Sequence, residues 1–247
     1  MTEVMLPLES NLLLEALPSA SREKLRPAIR IVEYQLNERI YDTGDAPDAI
    51  FPLDGIVSAV QELEDGTMIE VGMIGAEGLA GVSAVAGVGK SPHTGLTQGR
   101  GLFAVCGVRK LRELVDSDAA VRDVMLRWMH VSLAQMAQTA VCNRVHEVDL
   151  RLAHWLLLNH DRAGTDEISV TQEFLGLMLG ARRATINEAM RKLTDSGSIE
   201  HRRKRVRILD RPLLERQSCQ CYALVVEHYE AAFGFTPRAK GRATPVD

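Results

Sequence analysis

The chain has few aromatic residues and no long apolar run. Aromatic residues make up 4% of its 247 residues, so its cores must consist mainly of aliphatic side chains and methionine. A membrane-spanning helix needs about 18 or more consecutive apolar residues, and no such run is present. The N-terminal segment is acidic and lacks the basic region of a secretory signal, so we predict a cytoplasmic protein without a membrane partner.

Cysteine is also scarce. The four cysteines are Cys106, Cys142, Cys219 and Cys221, and only the last two are close in sequence. A metal or redox site would need further ligands at suitable spacing. We therefore predict free thiols, mostly buried, and no metal site, with a metal or redox role for the close pair as the less favoured alternative.

Patterns typical of enzymes are missing as well. The sequence has no zinc-protease HExxH motif, no glycine-rich phosphate loop and no recognisable pairing of a nucleophile with a base. An enzyme is therefore the least favoured class of protein.

The charge is unevenly distributed. The whole chain carries a net charge of −4, but residues 182–207 contain nine basic against three acidic residues, a local net charge of +6. A local basic patch decides phosphate binding, because contacts with phosphates act over a Debye length of about 10 Å. This segment is the best candidate for contact with nucleic acid.

Residues 29–115 predict a small antiparallel barrel or roll. Short β-prone runs alternate there with glycine and aspartate turns, and Asp65-Gly66 between two alternating runs is the strongest hairpin signal. The predicted strands are Ile29–Tyr34, Ile40–Tyr41, Ala49–Pro52, Ile56–Glu62, Met68–Met73, Thr94–Gln98 and Leu102–Val105.

A long helix is predicted from Asp118 to Asn143, a stretch without glycine or proline. Apolar residues recur along it at steps of three and four, as in a heptad seam, and a second stripe from Val121 to Ser132 would face the β domain. Burial of both stripes within one chain is the alternative, but we favour a dimer. The predicted dimer interface consists of Leu126, Met129, Leu133, Met136 and Ala140.

Residues 170–193 predict a helix-turn-helix. Thr171 can cap a first helix, Gly180 suits a sharp turn, and a second helix begins near Arg182. This second helix has an apolar face and, on the other side, arginine, asparagine and glutamate side chains that can hydrogen-bond to base edges in a major groove.

A basic hairpin is predicted directly after this helix. Two β-type runs, Ile199–His201 and Val206–Leu209, flank four basic residues. A solvated loop is the alternative, but the position favours a wing that contacts phosphates. The predicted DNA-binding residues are Thr171, Arg182, Arg183, Thr185, Asn187, Glu188, Arg191, Arg202, Arg203, Lys204 and Arg205. The segment after the wing is predicted to be helical, with a short β-type run at its end.

These motifs resemble the Crp/Fnr family of bacterial transcription regulators over nearly the whole chain. The family pattern of the helix-turn-helix appears here as residues 180–186, GARRATI. The resemblance implies that Arg183 reads a base, and that a homodimer works with RNA polymerase on double-stranded DNA. Ala184 and Glu188 depart from residues common in the family, so its best-known operator is not implied.

The resemblance also places an effector site in the roll. Members that bind cyclic AMP have a glutamate directly after a glycine, then an arginine–serine pair about ten residues on. Here Val82 follows Gly81, and Pro92-His93 stand at the pair, and neither valine nor proline can replace the lost contacts. Candidate pocket residues are Gly81, Val82, Lys90, Ser91 and His93, with His93 expected to be a solvent-exposed loop histidine.

Cyclic AMP and an iron–sulfur cluster are both disfavoured as cofactors, the cluster because the N-terminal region has no grouped cysteines. The predicted fold is α+β: an antiparallel β-roll of cyclic-nucleotide-binding type (1–116), a dimerisation helix (117–144), a winged helix-turn-helix (145–232) and a disordered tail (233–247). The predicted function is a homodimeric transcription regulator on a palindromic operator. The alternative is an effector-binding protein whose DNA binding is secondary or lost.

Overall fold

The computed structural model describes residues 8–237, which open with two short helices against a β-roll. A single 3-10 turn, Leu8–Ser10, precedes α1 (Leu12–Glu15) and α2 (Ser19–Leu25), and a second one, Arg26–Ala28, follows them. Asn11 is fully buried at the start of α1. Its side-chain oxygen accepts from Leu14 N, while its Nδ2 donates to Pro52 O and Gly78 O, each at 2.9 Å. One capping residue therefore attaches the entry helices to the roll.

The roll consists of two antiparallel sheets. Its strands are β1 (Ile29–Tyr34), β2 (Arg39–Tyr41), β3 (Ala49–Pro52), β4 (Val57–Glu62), β5 (Met68–Ile74), β6 (Thr94–Thr97) and β7 (Gly101–Cys106). One sheet has the order β1-β7-β3 and the other β2-β6-β4-β5. The strands lie within one or two residues of the predicted runs. The hairpin predicted at Asp65-Gly66 joins β4 to β5, and Gly66 has the positive φ of 82° that this tight turn requires.

One short helix interrupts the roll and two helices follow it. α3 (Ser83–Ala86) lies between β5 and β6, and α4 (Val108–Ser117) and the long α5 (Ala119–Val145), capped by the Asp118 side chain, follow β7. The predicted second stripe of α5 does pack on the roll: Val121, Met125 and Trp128 are buried. Trp128 Nε1 donates to Leu79 O at 3.2 Å.

The C-terminal part is a winged helix-turn-helix. It comprises α6 (Val148–Ala163), β8 (Glu167–Ser169), α7 (Gln172–Met178), α8 (Arg183–Asp195), β9 (Ile199–Arg202), β10 (Arg205–Ile208), α9 (Arg211–Arg216) and α10 (Cys221–Phe233). Its three strands form an antiparallel sheet in the order β8-β10-β9. The β-type run predicted at the end is wrong: this segment forms α10, whose Tyr222, Val225 and Tyr229 are buried at helical spacing. The predicted tail lies largely outside the described residues.

No helix within residues 8–237 has the length and apolar character needed to cross a membrane.

Candidate nucleic-acid interface

A capping residue and a glycine turn define the helix-turn-helix. The Thr171 hydroxyl accepts a hydrogen bond from Phe174 N at 3.1 Å and so caps α7. Gly180 ends the turn with a φ of +57°, a conformation that is cheap only for glycine. Thr171 is half-buried and its hydroxyl caps α7, so it positions that helix.

Helix α8 has one buried and one exposed face. Ile186, Ala189, Met190 and Leu193 are buried against the rest of the domain. The predicted DNA-binding side chains of this helix are all exposed: Arg183, Thr185, Asn187, Glu188 and Arg191. Arg182, also exposed, is the residue that precedes the helix. An exposed polar helix after a tight turn is the arrangement that enters a major groove in helix-turn-helix proteins.

The wing has two kinds of basic residue. Arg202 pairs with Glu200 at 2.7 Å and Arg205 with Glu167 at 2.7 Å, so acids next to the wing already neutralise both. Arg203 and Lys204 form the two-residue turn between β9 and β10, are exposed, and have no ion pair among residues 8–237. These two cations at the tip are therefore the most available for a phosphate.

The predicted dimer stripe of α5 divides into two groups. Leu126, Leu133 and Ala140 are exposed, the two leucines by 54% and 68%. Met129 and Met136 are half-buried and pack against the chain's own core. The exposed stripe continues towards the end of the helix through Val141 and Val145.

The five predicted effector residues lie in different environments. Gly81 is buried with a φ of +81°, and Val82 is half-buried before α3. Lys90 is exposed, whereas Ser91 and His93 are 3% exposed. A cavity of about 410 Å³ lies beside this loop, between α3 and α4, but none of the five lines it.

The expectation that His93 is solvent-exposed is wrong. The loop folds inward, so that His93 Nε2 lies 3.3 Å from the Tyr41 hydroxyl and Ser91 Oγ donates to His93 O at 2.6 Å. Burial lowers the pKa of His93 to about 4, because the charged imidazolium would lose its hydration. His93 is therefore a neutral core residue near pH 7.

The cysteines differ most from expectation. All four are free and buried, as predicted, but Cys142, Cys219 and Cys221 come together with His146, and their ligand atoms all lie within 4.8 Å of one another. We call these four residues the cysteine cluster. The expectation that no further ligand-type side chains accompany the Cys219–Cys221 pair is wrong, because Cys142 and His146 stand beside it. The prediction that the chain has no metal site stays a prediction.

The cluster was missed because its halves are far apart in sequence. Packing of α10 against the end of α5 brings Cys219 to Cys142, 77 residues away. One signal was available: Cys142 and His146 are only four residues apart in sequence and form a second pair of possible ligands.

A hydrogen bond couples the first two sulfurs of the cluster. The Cys142 and Cys219 Sγ atoms are 3.5 Å apart. Donation by the Cys142 thiol lowers the pKa of Cys219 and raises that of Cys142, while burial raises the pKa of Cys221. Cys219 is thus the sulfur that most readily becomes a thiolate.

Comparison with known proteins agrees with this architecture. Residues 150–217 match the family model described as the Crp-like helix-turn-helix domain. The chain therefore contains a Crp-like helix-turn-helix domain. Among curated proteins, no sequence matches the chain significantly.

Several solved structures share the whole fold. A protein from Eubacterium rectale described as a Crp/Fnr-family transcriptional regulator is 17% identical, with a TM-score of 0.66, over 85% of this chain and 98% of that one. A CRP-family transcriptional regulator from Thermus thermophilus is 20% identical, with a TM-score of 0.64, over 76% and 96%. FixK2 from Bradyrhizobium japonicum is 15% identical, with a TM-score of 0.67, over 77% and 98%. The predicted α+β fold and the resemblance to Crp/Fnr regulators are confirmed.

Proposed function

We propose that the protein is a homodimeric transcription regulator that binds a palindromic site in double-stranded DNA in the cytoplasm and acts on RNA polymerase. The observation that carries this proposal is the exposed polar face of α8, followed by a wing whose tip cations have no ion pair with any described residue. Arg183 and Asn187 have the side chains that read guanine and adenine in a major groove. Arg203 and Lys204 lie at the tip of the hairpin that follows α8 and can bind phosphates of the flanking backbone.

The exposed stripe of α5 supports the dimer. Leu126 and Leu133 would lose their exposure to water against a second copy of the helix, as in a coiled coil. Two-fold symmetry then places two recognition helices on half-sites about one helical turn, roughly 34 Å, apart.

This function is tested by measuring the binding of genomic DNA fragments at two salt concentrations. Gel shift and fluorescence anisotropy are the two readouts. We expect selection of a palindromic site and a steep loss of affinity with salt, because bound phosphates release counterions. Arg183→Ala should weaken binding to that site by about 1–3 kcal/mol and relax its selectivity at the base pair that Arg183 contacts, whereas Lys204→Ala should weaken binding to all sequences alike.

Arg100→Ala is the matched control, since Arg100 is exposed on the roll and paired with Glu33. Binding that is insensitive to salt, or equal in Arg183→Ala and the native chain, would show instead the alternative, a protein whose DNA binding is secondary or lost.

The effector is proposed to be something other than cyclic AMP bound in the usual manner. Val82 and Pro92 occupy the positions that would hold the ribose hydroxyl and the cyclic phosphate, and Ser91 and His93 are bonded within the roll. Calorimetric titration with cyclic AMP should give no heat of binding at micromolar concentrations; a micromolar dissociation constant would contradict this.

A further inference from the structure

The cysteine cluster lies where α5, α6 and α10 meet, away from the base-reading face of α8. It brings together three thiols and one imidazole, and their ligand atoms lie within 4.8 Å of one another. We propose that Cys142, His146, Cys219 and Cys221 bind one zinc ion per chain.

The distances suit a single tetrahedral ion. Zinc–sulfur bonds of about 2.3 Å place the ligand atoms of a tetrahedron roughly 3.8 Å apart. The sulfurs of Cys142 and Cys219 are 3.5 Å apart, and Cys221 Sγ lies 3.5 Å from His146 Nδ1. Small side-chain adjustments therefore suffice to admit the ion.

The donor set selects zinc. Thiolates are soft ligands that favour zinc, copper(I) and iron–sulfur clusters over magnesium or calcium, and three thiolates with one imidazole form a closed structural zinc shell. A two-iron cluster distributes its four ligands over two metal atoms, so its ligand pairs stand further apart than those around one ion. The mutual closeness of all four groups here fits one ion.

Each proposed ligand residue lies in a helix or within two residues of one. His146 is the C-cap residue directly after α5, and its backbone N–H donates to Cys142 O at 3.2 Å, so the two residues lie next to each other at the end of the helix. Cys221 is the first residue of α10, where unpaired backbone N–H groups and the helix dipole stabilise a thiolate. Cys219 precedes it by two residues. The ion would thus join the long helix to the last helix.

Donors surround the sulfurs. Zinc with three thiolates carries a net charge of −1, which N–H groups must offset. Gln138 Nε2 donates to Cys221 Sγ at 2.9 Å, and His154 Nδ1 lies 3.6 Å from Cys142 Sγ and 3.7 Å from Cys219 Sγ. The buried Arg151 guanidinium also interacts favourably with Cys142 and Cys219. Such outer contacts orient ligands and tune metal affinity.

Burial distinguishes the roles of the two histidines. His154 is 6% exposed and contacts two of the three sulfurs, so we assign it a supporting position. His146 is half-buried at the end of α5 and contacts the third sulfur, Cys221. It completes the ligand set and leaves a path by which the ion can enter and the displaced thiol protons can leave.

Metal analysis of the full chain, purified under reducing conditions without chelators, is the first test. We expect about one zinc per chain by mass spectrometry of metals, and little iron, copper or acid-labile sulfide. Cys142→Ser, Cys219→Ser and Cys221→Ser should each lower the zinc content severalfold. Cys106→Ser is the matched control, because Cys106 is equally buried but lies in β7, and it should retain zinc.

Titration of the metal-free protein is the second test, and it does not depend on a variant that may lose its fold. Cobalt(II) should produce the visible absorption of a tetrahedral thiolate site, and one equivalent of zinc should displace it and raise the Tm. His146→Asn keeps a residue suited to a helix end and should lower zinc affinity at least 100-fold. His154→Gln should lower it by roughly 10- to 100-fold, as outer contacts do, and keep the tetrahedral spectrum.

Three results would overturn the proposal. The first is a reduced, folded chain without zinc whose metal-free form gives no tetrahedral cobalt spectrum. The second is iron with acid-labile sulfide at the cluster. The third is a loss of zinc in Cys106→Ser equal to that in the cluster variants.

Discussion

Arg162 is buried with a complete set of partners. Its Nε pairs with Glu77 at 2.7 Å, its Nη1 donates to Leu158 O at 3.1 Å, and its Nη2 donates to Gln135 Oε1 at 3.2 Å. The side chains of Arg162 and Glu77 are 0% and 1% exposed. A buried charge is tolerated only with such pairing, so removing either Arg162 or Glu77 would leave the other charge buried without its counter-charge.

Arg162→Met should lower the free energy of unfolding by about 3–5 kcal/mol, because the Glu77 carboxylate would remain buried without its cation. The measurement is urea unfolding at pH 7 and fixed protein concentration. Arg100→Met, which removes an exposed ion pair with Glu33, should cost at most about 1 kcal/mol.

A second variant separates charge from packing. Glu77→Gln combined with Arg162→Met removes both charges and should be less destabilised than Arg162→Met alone. If Arg162→Met alone lowers the free energy of unfolding by less than about 1 kcal/mol, the Glu77 carboxylate must become hydrated when Arg162 is absent. The Arg162–Glu77 pair would then contribute little to stability.

Residue-level prediction from sequence succeeded where the cause is local. The Thr171 cap, the Gly180 turn and the exposure of Arg183 follow from neighbours within a few positions. It failed for His93 and for the cysteine cluster, because their environments come from chain segments distant in sequence. Tyr41 is 52 residues from His93, and Cys219 is 77 residues from Cys142.

Helix α6 is joined to the roll by side-chain hydrogen bonds. Its Trp155 Nε1 donates to Glu70 Oε1 at 3.0 Å, and its Asn159 donates to Gln98 Oε1. Ser58 and Gln98 each donate to Glu70 Oε2 at 2.6 Å. A carboxyl group of the roll is thus bonded to the helix that opens the helix-turn-helix domain.

Burial raises the pKa of Glu70 to about 7, and the hydrogen bonds from Ser58, Trp155 and Gln98 and the charge of Arg162 only partly oppose this. A folded pKa above the unfolded value means that the folded chain binds the proton more tightly. The contribution of Glu70 to stability is therefore full below about pH 4.5 and is lost as the pH rises to about 7.

Glu70→Gln should remove this dependence. The stability of the variant relative to the native chain should rise between about pH 4.5 and 7.5, by up to about 3 kcal/mol, as seen in urea unfolding across that range. Glu64→Gln, at an exposed position in the β4–β5 turn, is the control and should show a flat difference. A flat difference for Glu70→Gln as well would place the carboxyl in a better solvated site than the structure indicates.

Elements were predictable from sequence to different degrees. The positions of β4, β5, α5 and α8 follow from periodicity and turn residues. The last helix, α10, was interpreted as partly β-type because its β-branched valines and tyrosine have strand propensity. Packing against α5 determines that this segment is helical, because tertiary contacts of this kind override weak local propensity.

The described residues of the chain form one continuous set of contacts from the roll to the recognition helix. The turn before α8 approaches β5, where a Cβ on Gly180 would lie 3.2 Å from Ile69 Cδ1. Gln135 of α5 donates to Met73 O of the same strand at 2.9 Å. A change in β5 would thus act both on α5 and on the turn that precedes α8.

Assembly of two chains is the remaining step, and α5 offers the surface for it. Leu133→Glu would place a charge in the exposed stripe, where a second helix would have to bury it. We expect the mass measured by light scattering at micromolar concentration to fall from that of two chains to the 27.2 kDa of one. DNA affinity should fall roughly 100-fold or more, because two half-sites would no longer be bound by one linked pair of helices.

Leu63→Glu is the matched control for this change. Leu63 is 61% exposed and Leu133 is 68% exposed, but Leu63 lies in the β4–β5 turn, away from α5. It should leave both the mass and the DNA affinity unchanged, since a charge on a solvated turn costs little. If both variants remain dimeric, the two copies must meet through a surface other than the α5 stripe. The two-fold placement of the recognition helices would then have to be derived again from that surface.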